Sequence, residues 1–124
     1  MQAGEIATAC HLIGKRWALQ VVRELALGPW RFTDLHHRLQ GISTNVLAAR
    51  LRELQHANVV RRRLLPPPAS STVYELTDGG RELGRIVLKL ALWGERSFAD
   101  AAPDATNRFR RQGKQSDVHS RSVR

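Results

Sequence analysis

A single cysteine, Cys10, rules out any disulfide within the chain and makes a reducing compartment the default. No apolar run approaches the roughly 18 residues needed to span a bilayer. The opening stretch MQAGEIATACHLIGKRW lacks the basic segment and continuous apolar block of a secretory signal. A cytoplasmic protein with no membrane partner is therefore expected. Lysine is also scarce: of 20 cations set against 11 acids, only Lys15, Lys89 and Lys114 are lysines. Gly-rich phosphate loops, a Gly-x-Ser-x-Gly elbow, paired catalytic carboxylates and zinc-ligand spacings are missing as well. No enzymatic activity, no cofactor and no metal site are expected.

What remains is a chain of 124 residues with a formal charge of +9. Its length suits one domain, and its 42% hydrophobic content is enough for one core. The positive charge is carried by arginine, whose planar fork suits phosphates and base edges better than a lysine point charge does. A polyanionic partner follows, with nucleic acid ahead of membrane.

Along the chain, EIATACHLIGKRWALQVVRELALGPW predicts two helices in close succession. Ile6, Ala9, Cys10 and Ile13 make one short stripe that Gly14 interrupts. From Lys15 a second stripe runs through Trp17, Ala18, Val21, Val22 and Leu25, and Gly28-Pro29 ends it. RFTDLHHRL predicts a short helix with Thr33 as its N-cap. After the break QGIS, the stretch GISTNVLAARLREL predicts a further helix over about 43–57. Helix, Gly-containing turn and helix together make a helix-turn-helix. Val59, Val60, Leu64 and Leu65, followed by the alternating TVYEL, predict a two-stranded ribbon over about 59–76, a wing. Its tip, PPPASS, is expected to be stiff and extended. Thr77-Asp78 cap a last helix whose apolar residues surround it, so it needs two neighbours, one of which could be another subunit. The fold class expected is mainly α with a small antiparallel β-hairpin wing. Residues 1–98 form the domain; 99–124, poor in large apolar residues, form a basic, disordered tail.

The helix over 43–57 divides into two faces. Leu47, Leu51 and Leu54 face the core; Thr44, Asn45, Ala48, Ala49, Arg52 and Gln55 lie toward the opposite side. Small residues at 48 and 49 permit close approach to DNA. Asn45 offers a donor-acceptor pair to adenine, and Arg52 reaches phosphate or guanine. Ser43, as N-cap, sits beside backbone N–H groups suited to a phosphate. The bland alternative is a solvated face whose arginines pair with Glu53 and other acids. Arg50, beside the leucine stripe, suits an ion pair or a phosphate better than a base.

In the wing, Arg61 and Arg63 share one face and Arg62 takes the other; at least one side presents cations to the backbone or minor groove. A solvated strand edge protected by charge is the alternative. Ser70 and Ser71 at the tip are candidate phosphate donors. Arg31 is added to these expected DNA contacts. His36, His37, His11 and Cys10 lack chelating spacing: adjacent histidines on a helix point about 100° apart. Trp17, Trp30, Phe32 and Trp93 read as core and interface aromatics. A pocket for an aromatic small-molecule effector near a subunit interface is left open, since ligands favour helix junctions.

LIGKRWALQVVREL, LGPWRFTDL, GIS, RLREL and VYELTDGGREL, in this order over about residues 4–98, resemble the HxlR-type family of winged helix-turn-helix regulators, relatives of the MarR group. The resemblance implies a homodimer that binds double-stranded DNA at a pseudopalindromic operator, its second turn-helix helix in the major groove. It also implies dimer contact through the first and last helices, with Ile6, Cys10, Leu83, Val87, Leu90 and Trp93 as the expected residues. Family members commonly carry a cysteine about thirteen residues before the tryptophan; here Gly4 stands there, so redox sensing does not transfer to Cys10. The reading from a different class is a winged-helix module that docks protein or RNA.

Overall fold

The computed structural model describes residues 3–99. In chain order it contains α1 (Ala3–Ile13), α2 (Ala18–Ala26), α3 (Phe32–Arg38), α4 (Thr44–His56), β1 (Val60–Leu64), β2 (Thr72–Leu76) and α5 (Asp78–Phe98). One compact unit ends at Leu88 and a second begins at Lys89. The stretch expected to be a disordered tail lies outside the described residues apart from its first residue, Ala99.

The first unit is organised by one apolar cluster. Val21, Val22 and Leu25 of α2 meet Leu35 of α3, with Leu39 and Ile42 following it. Leu47, Leu51 and Leu54 of α4 complete the helical side, and Val59, Val60, Leu76 and Val87 close the rest. Leu35, Leu47, Leu51 and Leu54 are fully buried; cutting any one back to alanine costs about 2–5 kcal/mol through lost burial and the cavity left behind.

Element ends follow local chemistry. Helix α2 begins at Ala18 rather than Lys15, because Trp17 adopts a left-handed conformation, φ 76°. That conformation is costly for a bulky residue. The indole compensates by packing against the core and over Gly41, itself at φ 97°. Helix α3 is capped at Arg31, not Thr33. The Asp34 carboxylate accepts the Arg31 backbone N–H at 3.1 Å, an arrangement open to the residue three places on from the cap. Ser43 caps α4 as expected, its Oγ accepting from the Val46 N–H at 3.1 Å.

Strands β1 and β2 pair antiparallel, with Val60 opposite Leu76, Arg61 opposite Glu75, Arg62 opposite Tyr74 and Arg63 opposite Val73. Trp30 adds an isolated bridge on the other side of β2, donating to the Tyr74 carbonyl at 3.0 Å and accepting its N–H at 2.7 Å. The wing tip does not extend as its three prolines suggest. Leu65 N–H bonds Ser71 O at 2.8 Å and Ser70 N–H bonds Pro66 O at 3.3 Å. Ser70 takes positive φ, 45°. Two backbone bonds thus fold the tip into a closed turn.

Thr77 ties wing and last helix together. Its Oγ1 donates to Asn58 O at 2.6 Å and accepts from Gly80 N–H at 3.0 Å. The approach is so close that a Cβ on Gly80 would lie 2.0 Å from Val59 O. Gly80, Gly84 and Val87 are the buried residues of α5, and their spacing puts them on one face.

Candidate nucleic-acid interface

Helix α4 presents two faces as the leucine spacing requires. Opposite the buried leucines, Thr44, Asn45 and Arg52 are exposed and Ala48 and Ala49 are partly so. Among the described residues, neither Asn45 nor Arg52 has a side-chain hydrogen bond or ion pair within the chain. Gln55, expected on the same side, is turned back onto Leu51 O at 3.1 Å. His56, not anticipated, is exposed one turn beyond Arg52. Its position after the last predicted contact was the available signal.

Arg50 is built in. Its Nε donates to Arg16 O at 2.7 Å, and its Nη1 reaches both Glu53 oxygens at 3.0 and 2.9 Å. Lys15 Nζ joins the same carboxylate at 3.1 Å. Burial pushes the Glu53 carboxyl up, but the bonds from Lys15 and Arg50 outweigh it and leave it below its ordinary value. This cluster fastens α4 to the turn before α2.

Arg31 is likewise engaged. Its Nε and Nη2 lie 3.1 and 3.3 Å from Asp34 oxygens. The Arg31 side-chain bond holds the Asp34 carboxyl below its usual range. Arg38 binds Glu24 Oε2 at 2.7 Å and covers the Trp30 ring at 4.2 Å, while Trp30 Nε1 donates to Glu24 O at 2.9 Å.

On the wing, Arg61 and Arg63 share one face as their alternation requires, but that face also holds an acid. Arg61 Nε lies 3.0 Å and Arg63 Nε 2.7 Å from Glu75 Oε1. The Arg63 bond, followed by that of Arg61, keeps the Glu75 carboxyl below its ordinary value despite partial burial. Arg62, left out of the expected contacts, stands over Tyr74 at 5.9 Å from the ring centroid and has no carboxylate partner among the described residues. Ser70 is exposed and Ser71 partly so at the tip.

The residues expected at a subunit contact divide. Ile6 and Cys10 on α1 are exposed, as are Leu90 and Trp93 on α5; Trp93 meets Phe98 edge-on at 5.8 Å. Val87 does not belong with them. It is 4% exposed and part of its own chain's core, so it has no surface to offer a partner. Leu83 is partly buried against the same core. The difference arises because Gly80 and Gly84 let α5 close on Val59, Leu76 and Ala26, and Val87 follows on that face. His36 and His37 have ring centroids 6.3 Å apart; no group of three His, Cys, Asp or Glu able to hold a metal occurs among the described residues. Nor is any helix among them long and apolar enough to cross a membrane.

Comparison with known proteins places this architecture. The HTH-type transcriptional regulator YodB of Bacillus subtilis is 32% identical over 91 residues, covering 73% of this chain and 81% of YodB. The uncharacterized HTH-type transcriptional regulator YvaP of the same organism is 34% identical over 85 residues, covering 68% of this chain and 79% of YvaP. The reduced form of B. subtilis YodB superimposes with a TM-score of 0.69 at 31% identity, over 77% of this chain and 94% of YodB. The profile of the HxlR-like helix-turn-helix family matches residues 12–102, and the chain, a winged helix-turn-helix with its wing at β1–β2, belongs to that family.

Proposed function

We propose that the protein is a DNA-binding transcriptional regulator that acts without catalysis, in the cytoplasm, as a homodimer on a pseudopalindromic operator. One observation carries the reading: α4 is locked to the core by three buried leucines while its opposite face holds Asn45 and Arg52 with no partner inside the described chain. Polar side chains kept unpaired on a rigid helix are suited to base edges in a major groove. Ala48 keeps the helix surface low between them. Ser43 and Thr44 stand at the helix start, where N–H groups favour a phosphate. Arg31, Arg50, Ser70 and Ser71 are assigned to the backbone, Arg31 and Arg50 by positioning more than by direct contact because both are already bonded. Ile6, Cys10 and Leu83 in the first unit, and Leu90 and Trp93 in the second, are each assigned to contact with a second subunit.

The test is a binding titration against upstream DNA and random duplex at several salt concentrations. A regulator gives nanomolar, sequence-dependent binding with a steep salt slope. Equal, weak binding to both duplexes overturns the reading.

A further inference from the structure

We propose that Glu75 is an internal competitor for nucleic-acid phosphate: it retains Arg61 and Arg63 within the wing and leaves Arg62 as the cation that each wing presents to a polyanion. The proposal rests on the DNA-binding reading above and adds which wing charges act in it.

The geometry is a carboxylate between two forks. Both Arg61 Nε and Arg63 Nε converge on Glu75 Oε1, at 3.0 and 2.7 Å, and Arg63 Nη2 approaches Oε2 at 3.4 Å. The Glu75 side chain is 15% exposed, whereas those of Arg61 and Arg63 are 57% and 45% exposed. The arginines are therefore within reach of an outside phosphate, but the acid that holds them is mostly covered. A phosphate can accept the same bidentate guanidinium bonds as the carboxylate does. Moving both arginines onto it would leave a partly covered carboxylate without partners, and an unpaired, partly desolvated charge is disfavoured. The exchange therefore gains little, and this face of the ribbon contributes few net phosphate contacts.

Arg62 is on the opposite face, where no such penalty applies. Its guanidinium rests over the Tyr74 ring, and Tyr74 is fixed by two backbone bonds to Trp30. A loosely stacked cation on a fixed base can turn to a phosphate and give up only a weak contact. Three successive arginines thus behave as one available charge and one guarded pair. The sequence alternation alone could not distinguish these, since it specifies faces but not the acid opposite.

The experiment compares wild type, Glu75→Gln, the single variants Arg61→Ala, Arg62→Ala and Arg63→Ala, and the triple variant Glu75→Gln/Arg61→Ala/Arg63→Ala. Elution salt is read from a heparin column and log K against log salt on a random-sequence duplex. Each added phosphate contact steepens the slope by about 0.9. Glu75→Gln is expected to elute later, and its slope to steepen by about one or two per wing. Arg62→Ala flattens the slope by about one per wing, and the triple variant returns to the wild-type slope. Loss of packing at position 75 would lower the melting temperature without steepening a salt slope, so a structural role does not imitate this result. A Glu75→Gln slope equal to or flatter than wild type overturns the proposal, as does an Arg61→Ala or Arg63→Ala variant that flattens it as much as Arg62→Ala. Heparin carries no base sequence. If the chain binds heparin with this variant order but does not discriminate any operator, the regulator reading fails and the assignment of wing charges stands.

Discussion

Arg50 Nε lies 2.7 Å from the main-chain oxygen of Arg16, across 34 positions of sequence. An arginine on the helix most suited to DNA is thereby committed to holding that helix against the turn before α2. Its Nη1 is committed as well, to both carboxylate oxygens of Glu53.

Removing this side chain is expected to affect folding first. Arg50→Ala should lower unfolding free energy by about 1.5–3 kcal/mol, the range for a hydrogen bond from a charged group. Arg52→Ala should stay within about 0.5 kcal/mol, as a surface change without partners does. Urea denaturation of both variants checks this; equal losses would show that Arg50 is no more structural than Arg52.

DNA discrimination should show the opposite order. Asn45→Ala or Arg52→Ala should cost about 1–3 kcal/mol at the bases each contacts, with the fold intact. Footprints with unchanged specificity would move the reading surface elsewhere. His56→Ala belongs in the same series, since its side chain is exposed beyond Arg52.

Gly80→Ala should destabilise severely, by about 3 kcal/mol or more, or prevent folding. Its methyl would fall 2.0 Å from the Val59 carbonyl, a backbone atom that Thr77 N–H also bonds at 3.0 Å. Overpacking against fixed backbone has no side-chain escape. Thermal denaturation decides it, and a variant with wild-type melting temperature would contradict the close approach.

Subunit contact separates two kinds of α5 substitution. Trp93→Asp or Leu90→Asp should dissociate a dimer without unfolding the chain, seen as a halved mass by light scattering with an unchanged circular dichroism spectrum. Val87→Asp should unfold the first unit, because it places a charge in a closed core. A Trp93→Asp variant that remains dimeric removes α5 from the interface.

Acid should weaken the fold through carboxylates that the structure holds below their ordinary values. Asp34, Glu53 and Glu75 are all shifted down. A depressed folded-state value stabilises above the unfolded value, about 3.9 for Asp and 4.3 for Glu. That contribution is lost as pH falls through the folded value. Stability should therefore be level from neutral pH to about 5 and decline below it. Glu53→Gln should make the decline shallower, and an unchanged acid limb would show that its ion pairs do not contribute.

Local rules made much of this legible in the sequence. The leucines at 47, 51 and 54, Ser43 before them and Thr77 before α5 are signals that act within one or two turns, and each appears where its spacing requires. What depended on distant neighbours was harder to read. Thr33 reads as a cap because hydroxyls usually serve, yet Asp34 reaching back to Arg31 fixes the cap two residues earlier. Val87 is one apolar residue among many on α5, and only the glycine face packed on Val59 and Leu76 shows which side is internal. Arg61 and Arg63 were assigned to one face correctly, but Glu75 enters through cross-strand register across a folded tip. The proline run suggested extension, whereas two backbone bonds close it.

The paired bonds between Trp30 and Tyr74 bear on the geometry of the DNA itself. They attach the ribbon to the segment just before α3, so ribbon and helix-turn-helix form a calliper with one setting. With α4 on the bases and Arg62 on the backbone, as proposed above, a binding site must keep a constant interval between those two points. Inserting one base pair between those two points should abolish joint engagement, while a base change at either point should only weaken it.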